Sequence, residues 1–117
     1  MKRGDLVMIA ISGDYGKPRP ALIVQADAFA VLPSVTVLQL TSEIHDEHLV
    51  RITVQPSDRN GLRKSSQVMI DRAMTVPRTK VGPIFGRLEE AGMLAVSRAL
   101  AGFLGFDGLT APPDGKR

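Results

Sequence analysis

The chain has 117 residues, of which 44% are hydrophobic, and its 15 basic and 12 acidic residues give a formal net charge of +3. This length and composition are typical of one globular domain with a single core and argue against two domains. Because the sequence has no cysteine, disulfides, thiolate metal sites and a cysteine nucleophile are excluded. The mild basic excess favours a polyanionic partner without requiring one.

The amino-terminal segment reaches a charged turn at once, and the apolar run after it is too short for the core of a signal peptide. The sequence therefore predicts a cytoplasmic protein. The apolar run itself, residues 6–11, has the length of one buried strand, and residues 12–17 are predicted to form a loop.

A basic, proline-rich segment follows, in which Arg19 lies between Pro18 and Pro20. Proline restricts its own φ to about −65° and pushes the residue before it away from the helical region. Arg19 is therefore expected to have an extended, restricted backbone that aims its guanidinium group in advance. An ordinary solvated loop arginine is an equally good interpretation of these residues taken alone.

Four further strands are predicted at residues 20–24, 35–40, 49–54 and 67–70, separated by turn residues and, at 27–34, by an irregular connection. The segment from Val50 to Val54 alternates between apolar and polar residues, which is typical of a half-buried strand at the edge of a sheet. Because no helix of useful length falls between these strands, the pattern predicts a small antiparallel barrel or sandwich.

One convincing helix is predicted late in the chain, over residues 89–104, with Glu89 and Glu90 in its first turn and Gly105 as its stop. It is apolar around most of its circumference, so we expect part of it to be buried against a second chain. A membrane span is disfavoured because the run is short and carries Arg98. Residues 1–108 are predicted to form a single domain, and residues 109–117 a disordered tail.

Two histidines, His45 and His48, lie in a polar loop rich in carboxylates and could bind a metal or act as acid and base. A solvated loop is the favoured interpretation, because no nucleophile motif accompanies them. The sequence also has no P-loop, no dinucleotide-binding glycine pattern and no serine-hydrolase elbow. We therefore predict neither a cofactor nor a metal site.

A stronger candidate site pairs Arg19 with Thr41 and Ser42, two hydroxyl residues that follow the third predicted strand. If the second and third strands are antiparallel neighbours, the start of one lies beside the end of the other. An arginine fork with an adjacent hydroxyl can bind a phosphate. Taken locally, Thr41 and Ser42 are somewhat better explained as a turn at the end of a strand.

Five short segments in this order resemble the MazF/PemK family of toxin–antitoxin ribonucleases. They are Arg3-Gly4-Asp5, Lys17-Pro18-Arg19-Pro20-Ala21-Leu22-Ile23-Val24, Leu38-Gln39-Leu40-Thr41-Ser42, Gly61-Leu62-Arg63-Lys64-Ser65-Ser66-Gln67-Val68-Met69-Ile70-Asp71, and Thr75-Val76-Pro77-Arg78 followed by Val81-Gly82. Any one of them is common, whereas all five in this order and spacing are specific. The resemblance covers residues 3 to about 106.

The resemblance implies a MazF/CcdB-like fold, mainly β with α: a small SH3-like antiparallel barrel with a C-terminal helix. It also implies a homodimer formed through that helix and the adjacent surface, metal-independent and sequence-selective cleavage of single-stranded RNA, and neutralisation by a cognate antitoxin whose extended tail occupies the RNA groove. The family's catalytic arginine and threonine correspond to Arg19 and Thr41. Attack by a ribose 2′-hydroxyl would then leave a 2′,3′-cyclic phosphate.

The expected substrate-binding residues lie around that pair: Ser42, Asp14, Tyr15, Lys17, Arg63, Lys64 and Arg72. The sequence departs from the family in its first connection, which is shorter between Gly4 and Arg19. Asp14 is the candidate for the acidic residue that the family carries there. Because this loop covers the groove in the family, the departure puts the cut-site preference and the fit of the antitoxin in doubt.

Two alternatives remain open at this stage. A gyrase poison of the CcdB type has the same architecture, although this chain lacks the tryptophan-containing hydrophobic end through which that family engages gyrase. A non-catalytic barrel that only binds nucleic acid would bind RNA in a salt-dependent way and yield no cyclic phosphate.

Overall fold

The computed structural model describes residues 1–10, 17–47 and 50–106. They form six strands and one α-helix, with single-turn 3₁₀ helices at Asp27–Phe29 and Arg78–Lys80. The strands are β1 (Asp5–Ala10), β2 (Pro18–Ile23), β3 (Ser34–Thr41), β4 (Arg51–Val54), β5 (Ser66–Pro77) and β6 (Val81–Arg87), and the helix is α1 (Glu90–Phe103).

All six strands belong to one antiparallel sheet with the order β4-β5-β3-β2-β1-β6. The sheet is barrel-like, as predicted, but it is not closed, because β4 and β6 are its two edges. The turn after β4 reaches across to β6 instead: the Arg87 amide donates a hydrogen bond to the carbonyl oxygen of Arg59 (2.9 Å).

The sheet buries apolar side chains on both faces, as its alternating pattern requires. One cluster contains Leu6, Leu22 and Leu38 and extends to Val96 of α1. The other contains the intervening residues of the same strands, such as Val7 and Val37. Because both faces of the central sheet pack against apolar neighbours, the segments 6–10 and 20–24 are continuous apolar runs, whereas β3 also contains four polar residues.

Three strand predictions are confirmed to within two residues: β2, β3 and β4, the last of them at the predicted edge position. The prediction for β1 included residue 11, which lies outside the described residues. The fifth predicted strand lies within β5 but was predicted too short, and the sixth strand was not predicted. The fifth strand is 12 residues long, because its second half, from Ala73 to Pro77, also pairs with β3. The strand β6 was missed, because Gly82, Pro83 and Gly86 interrupt its pattern, which an edge strand tolerates.

The helix prediction is confirmed: Glu89 is the N-cap residue and Gly105 follows the C-cap with a φ of +84°. Of its residues only Val96 is fully buried, whereas the side chains of Leu94, Phe103 and Leu104 are about half exposed (53%, 49% and 50%). Burial of part of this helix against a second chain stays a prediction. Within the described part of the chain, no helix is long and apolar enough to cross a membrane. The predicted tail lies outside the described residues.

A buried asparagine joins the turn after β4 to the start of α1. Asn60 is completely buried, and its Oδ1 accepts hydrogen bonds from the amides of Ser57 and Leu62, both at 3.0 Å. Its Nδ2 donates to the Gln55 carbonyl (2.9 Å) and to Glu89 Oε1 (3.2 Å). One side chain therefore fixes the turn and attaches it to the N-cap of the helix.

The substitution Asn60→Ala should lower the free energy of unfolding by about 1–3 kcal/mol, because it leaves two part-buried amides and a carbonyl oxygen without their hydrogen-bond partner. Urea denaturation followed by circular dichroism measures this loss. Asp58→Ala, at an exposed position of the same turn, is the matched control and should change stability by less than about 0.5 kcal/mol. Equal stability of Asn60→Ala and the unsubstituted protein would contradict the role assigned to this side chain.

A second prediction concerns pH. A hydrogen bond from the Ser57 hydroxyl lowers the pKa of Glu89 by more than partial desolvation raises it, and a backbone hydrogen bond, Asn60 and the charge of Arg59 lower the pKa further. Because the folded pKa lies below the unfolded one, ordinarily about 4.3, the ionised carboxylate stabilises the protein above that pH. This contribution is lost as the pH falls through the folded value.

Glu89→Gln should therefore be less stable than the unsubstituted protein at pH 7, and the difference should shrink in acid. Urea titrations across the acid range measure it, with the exposed Glu90→Gln as control. A difference that does not depend on pH would exclude a role for the charge of Glu89.

Candidate active site

The register between β2 and β3 brings Arg19 and Thr41 to the same end of the sheet. Ala21 pairs with Gln39 in an antiparallel arrangement. Continuing that register by two residues places Arg19 opposite Thr41. Both residues line one cavity of about 450 Å³. The two side chains therefore meet at one rim, as the strand order inferred from the sequence required.

The position of Arg19 depends on how β2 begins. It pairs with Ile9 of β1, between the two prolines. Prolines are tolerated at the start of a strand, and they hold the backbone extended there. The arginine is half-buried at the rim rather than in a solvated loop. The interpretation of Arg19 as an ordinary loop residue is therefore wrong.

The hydroxyl group of Thr41 already accepts one hydrogen bond. The backbone amide of Glu43 donates to Thr41 Oγ1 at 3.1 Å, within the tight turn that follows β3. This bond occupies a lone pair of the hydroxyl oxygen and leaves its proton for another acceptor. The geometry thus orients Thr41 as a hydrogen-bond donor, the role that a phosphate oxygen beside it would need.

A buried glutamine holds the loop after Thr41 in place. Gln67 pairs with Thr41 across the β3–β5 ladder and is only 2% exposed. Its Oε1 accepts a hydrogen bond from the His45 amide (3.1 Å), and its Nε2 donates to Thr53 Oγ1 (3.2 Å). No role was predicted for Gln67 from the sequence. A single amide side chain beside an apolar run must find a hydrogen-bond partner when it is buried, and this could have indicated a structural role.

We call the cavity that contains Arg19 and Thr41 the polar cavity; its lining residues are Arg19, Pro20, Leu40, Thr41, Ser42, Glu43 and Ser66. A second cavity of about 470 Å³, the apolar cavity, is lined by Met8, Pro20, Ser42, Gly61, Leu62, Arg63, Lys64, Ser66 and Phe85. Because Pro20, Ser42 and Ser66 belong to both, the two cavities adjoin. The sequence analysis did not single out Ser66 or Phe85.

The predicted substrate-binding residues divide into three groups. Ser42, Arg63 and Lys64 line the apolar cavity, and Ser42 also lines the polar one. Lys17 is exposed and directly precedes β2, and the exposed Arg72 of β5 lies in the wall of neither cavity. Asp14 and Tyr15 fall outside the described residues. The catalytic and binding roles of all these side chains stay predictions.

The histidine loop is the weaker candidate in the structure as well. His45 Nδ1 lies 3.2 Å from Glu47 Oε2, at the surface, and His45 lines neither cavity. His48 lies outside the described residues. Among the residues that the structure describes, no group of three or more histidine, cysteine or carboxylate side chains is arranged to hold a metal ion.

Known proteins resemble this chain over nearly its whole length. Residues 2–104 match the family described as PemK-like, MazF-like toxins of type II toxin–antitoxin systems. The probable endoribonuclease MazF of Mycolicibacterium smegmatis is 45% identical over 109 residues, which cover 92% of this chain and 100% of that protein.

Solved structures have the same fold. An endoribonuclease in complex with its cognate antitoxin, from a mycobacterial species, matches with a TM-score of 0.78 and 25% identity over 96% of this chain and 99% of that one. A MazE–MazF structure from Deinococcus radiodurans matches with a TM-score of 0.73 and 22% identity over 90% and 95% of the two chains. On the extent of the family match and the identity to the mycobacterial relative, this chain belongs to the PemK-like, MazF-like toxins of type II toxin–antitoxin systems.

Proposed function

We propose that this toxin is an endoribonuclease that cleaves single-stranded RNA sequence-selectively and without a metal ion. The observation that carries the proposal is the meeting of Arg19 and Thr41 in the polar cavity. The name of the 45% identical relative, an endoribonuclease, supports the same activity. The family match favours this function over a gyrase poison of similar architecture.

The reaction is a transesterification within the RNA backbone. A ribose 2′-oxygen attacks the adjacent phosphorus, and the bond from phosphorus to the 5′-oxygen of the next nucleotide breaks. The 2′-hydroxyl loses its proton, and the leaving 5′-oxygen gains one. The products are a 2′,3′-cyclic phosphate and a 5′-hydroxyl, so that atoms and charge balance without an added reactant.

Arg19 supplies electrostatic stabilisation in this scheme. Negative charge accumulates on the phosphoryl oxygens as the 2′-oxygen attacks, and a guanidinium at the rim can bind two of those oxygens at once. Arginine stays protonated at neutral pH, so it is a poor general base. It can, however, donate a hydrogen bond to the leaving oxygen and so stabilise the negative charge that develops there.

Thr41 adds a donor on the same side. Because the Glu43 amide occupies one lone pair of its hydroxyl oxygen, the hydroxyl proton is free to point into the cavity toward a phosphoryl oxygen. Ser42 lies at the junction with the apolar cavity and assists in binding the substrate. The buried Gln67 keeps this turn in one conformation by holding the amide of His45.

The remaining predicted residues bind the RNA chain around the cleaved bond. Arg63 and Lys64 neutralise neighbouring phosphates at the edge of the apolar cavity. Lys17 and Arg72 extend the basic surface, and Asp14 and Tyr15 of the first connection select bases.

The assembly that we propose is a cytoplasmic homodimer, with residues 1–108 as a single domain. The half-exposed apolar residues of α1 support a contact with a second copy through this helix and the adjacent surface. A cognate antitoxin neutralises the toxin, as expected from relatives described in complexes with an antitoxin or with MazE.

Incubation of the purified protein with a long single-stranded RNA, with and without chelator, tests the function. We expect scission in both conditions, new ends that carry a cyclic phosphate, and no scission by Arg19→Ala, which should keep its circular dichroism spectrum and melting temperature. Arg59→Ala, which removes an arginine outside both cavities, is the matched control and should cleave normally.

Three results would overturn parts of this proposal. Scission at the normal rate by Arg19→Ala would exclude the role of that arginine. Retention of RNA without scission would indicate a binding protein only. Intact RNA together with inhibited gyrase would favour the gyrase-poison alternative.

The hydroxyl of Thr41 has its own test. Thr41→Val should lower kcat about 100-fold or more, the usual cost of losing one donor to a developing oxyanion, with little change in KM. Thr41→Ser should retain most of the activity because it keeps the hydroxyl. Thr79→Val, at an exposed position that lines neither the polar nor the apolar cavity, serves as control, and single-turnover cleavage of a labelled RNA is the measurement. Normal kcat for Thr41→Val would remove Thr41 from the mechanism.

A further inference from the structure

We propose that the apolar cavity binds one unpaired nucleobase of the RNA against Phe85, and that this contact selects single-stranded over double-stranded substrate. The inference rests on the proposed ribonuclease function and adds to it a base-binding subsite. It assigns a binding role to Phe85, Leu62 and Met8, which come from separate parts of the chain and line one cavity.

The walls of the cavity suit a flat, apolar ligand. Phe85 and Leu62 are half-buried and pack against the main core cluster, and both also line the cavity. The volume of about 470 Å³ lies within the range of about 300–1,000 Å³ that is typical of small-ligand sites. The chain has four phenylalanines. Phe85 lines the apolar cavity, and the other three line neither this cavity nor the polar cavity.

The surroundings favour a nucleic acid over another apolar ligand. The apolar cavity shares Pro20, Ser42 and Ser66 with the polar cavity. A phosphate bound beside Arg19 would therefore lie next to the apolar cavity. Two cations, Arg63 and Lys64, belong to its lining. An aromatic face next to backbone-binding cations is the usual arrangement for single-stranded nucleic acid.

The cavity is also held in shape before a ligand arrives. Gly61 has a φ of +68°, and a Cβ atom there would lie 2.4 Å from the carbonyl oxygen of Phe85. The turn and β6 are therefore in direct backbone contact, and Asn60 fixes the turn from the buried side. A preformed wall lowers the entropic cost of binding a base.

The chemistry of the walls decides what the subsite can discriminate. A base in a duplex is paired and stacked, so only an unpaired base can place its face on Phe85. Every base has such a face, and among the described residues that line the cavity only Ser42 and Ser66 carry hydroxyl groups. The subsite therefore selects unpaired strands, whereas the identity of the base matters little to it.

The test is a binding experiment on the full chain with a short single-stranded RNA that carries 2′-fluorine in place of every 2′-hydroxyl. This probe lacks the nucleophile, so binding is measured without cleavage. An abasic site is moved along it one nucleotide at a time, and fluorescence anisotropy gives Kd. One position should lose about 5- to 150-fold in affinity, the range expected for one stacked base, whereas exchanging the base there should cost much less.

Phe85 is examined in the same experiment. In Phe85→Ala, and in Phe85→Leu if the first variant unfolds, the intact probe should bind more weakly than it does to the unsubstituted protein. Removing the base at the sensitive position of the probe should then cause little further loss of affinity. Phe29→Ala, at a half-exposed position outside both cavities, should behave like the unsubstituted protein.

The subsite is excluded if the probe does not bind or if no single abasic position lowers its affinity. It is also excluded if removing the base at the sensitive position lowers the affinity equally in the presence and in the absence of the Phe85 ring. Normal RNA binding by the Phe85 variants together with loss of antitoxin binding would assign the cavity to a side chain of the antitoxin instead. Failure of the proposed function is a separate result: unmodified RNA would stay intact although the abasic effect and its dependence on Phe85 persist.

Discussion

The antiparallel pairing of β2 with β3 is the constraint on which the rest of this structure depends. These two strands lie in the middle of the six-stranded sheet, with β1 and β6 on one side and β5 and β4 on the other. Their register decides which residues become neighbours at the rim, and it places Arg19 opposite Thr41. A shift of one residue would turn every side chain of one strand to the other face. Because the two faces of the central strands pack into different clusters, such a shift would exchange the side chains of the two clusters and lose their close packing. The register that builds the site is therefore the one that builds the core.

The second organising element is the turn after β4, which connects the two edges of the sheet. Asn60 accepts hydrogen bonds from two amides within that turn and donates one to Glu89 at the start of α1. The same turn contacts β6 so closely that a Cβ atom on Gly86 would lie 2.0 Å from the Asn60 carbonyl oxygen. An open sheet thereby acquires barrel-like closure through side-chain and backbone hydrogen bonds rather than through pairing of its edge strands. The same contact between the turn and β6 forms the wall of the apolar cavity that contains Gly61, Leu62 and Phe85.

The two adjoining cavities suggest a division of tasks. The polar cavity offers a guanidinium group and an oriented hydroxyl, which suit the cleaved phosphate. The apolar cavity offers a hydrophobic wall with one aromatic ring and two cations, which suit the neighbouring nucleotide. Chemistry and strand selection would then depend on different side chains. Affinity for RNA and the rate of cleavage could accordingly change independently among related toxins.

Much of the fold could be predicted from the sequence, because its signals are local. Apolar runs and turn residues located the strands β2, β3 and β4, and acidic N-terminal residues with a stop glycine located α1. The strand β6 could not be found in this way, since Gly82, Pro83 and Gly86 interrupt its pattern. It is held by pairing with β1, beginning with the Asp5–Arg87 contact, where the side chains form an ion pair of 2.8 Å. The length of β5 likewise depends on a partner distant in the sequence.

The same distinction applies to the site. The sequence by itself determined the residue types at one corner: an arginine between two prolines, whose backbone is restricted wherever it lies, and hydroxyl residues after an apolar strand. The tertiary structure alone decided that the buried Gln67 supports the loop after Thr41, and that Phe85 and Leu62 share a cavity with Ser42. Those contacts join residues far apart in the chain, and no local pattern encodes them. Gln67 reaches its partners through the pairing of β5 with β3 and β4, and the apolar cavity forms where the turn that contains Asn60 meets β6.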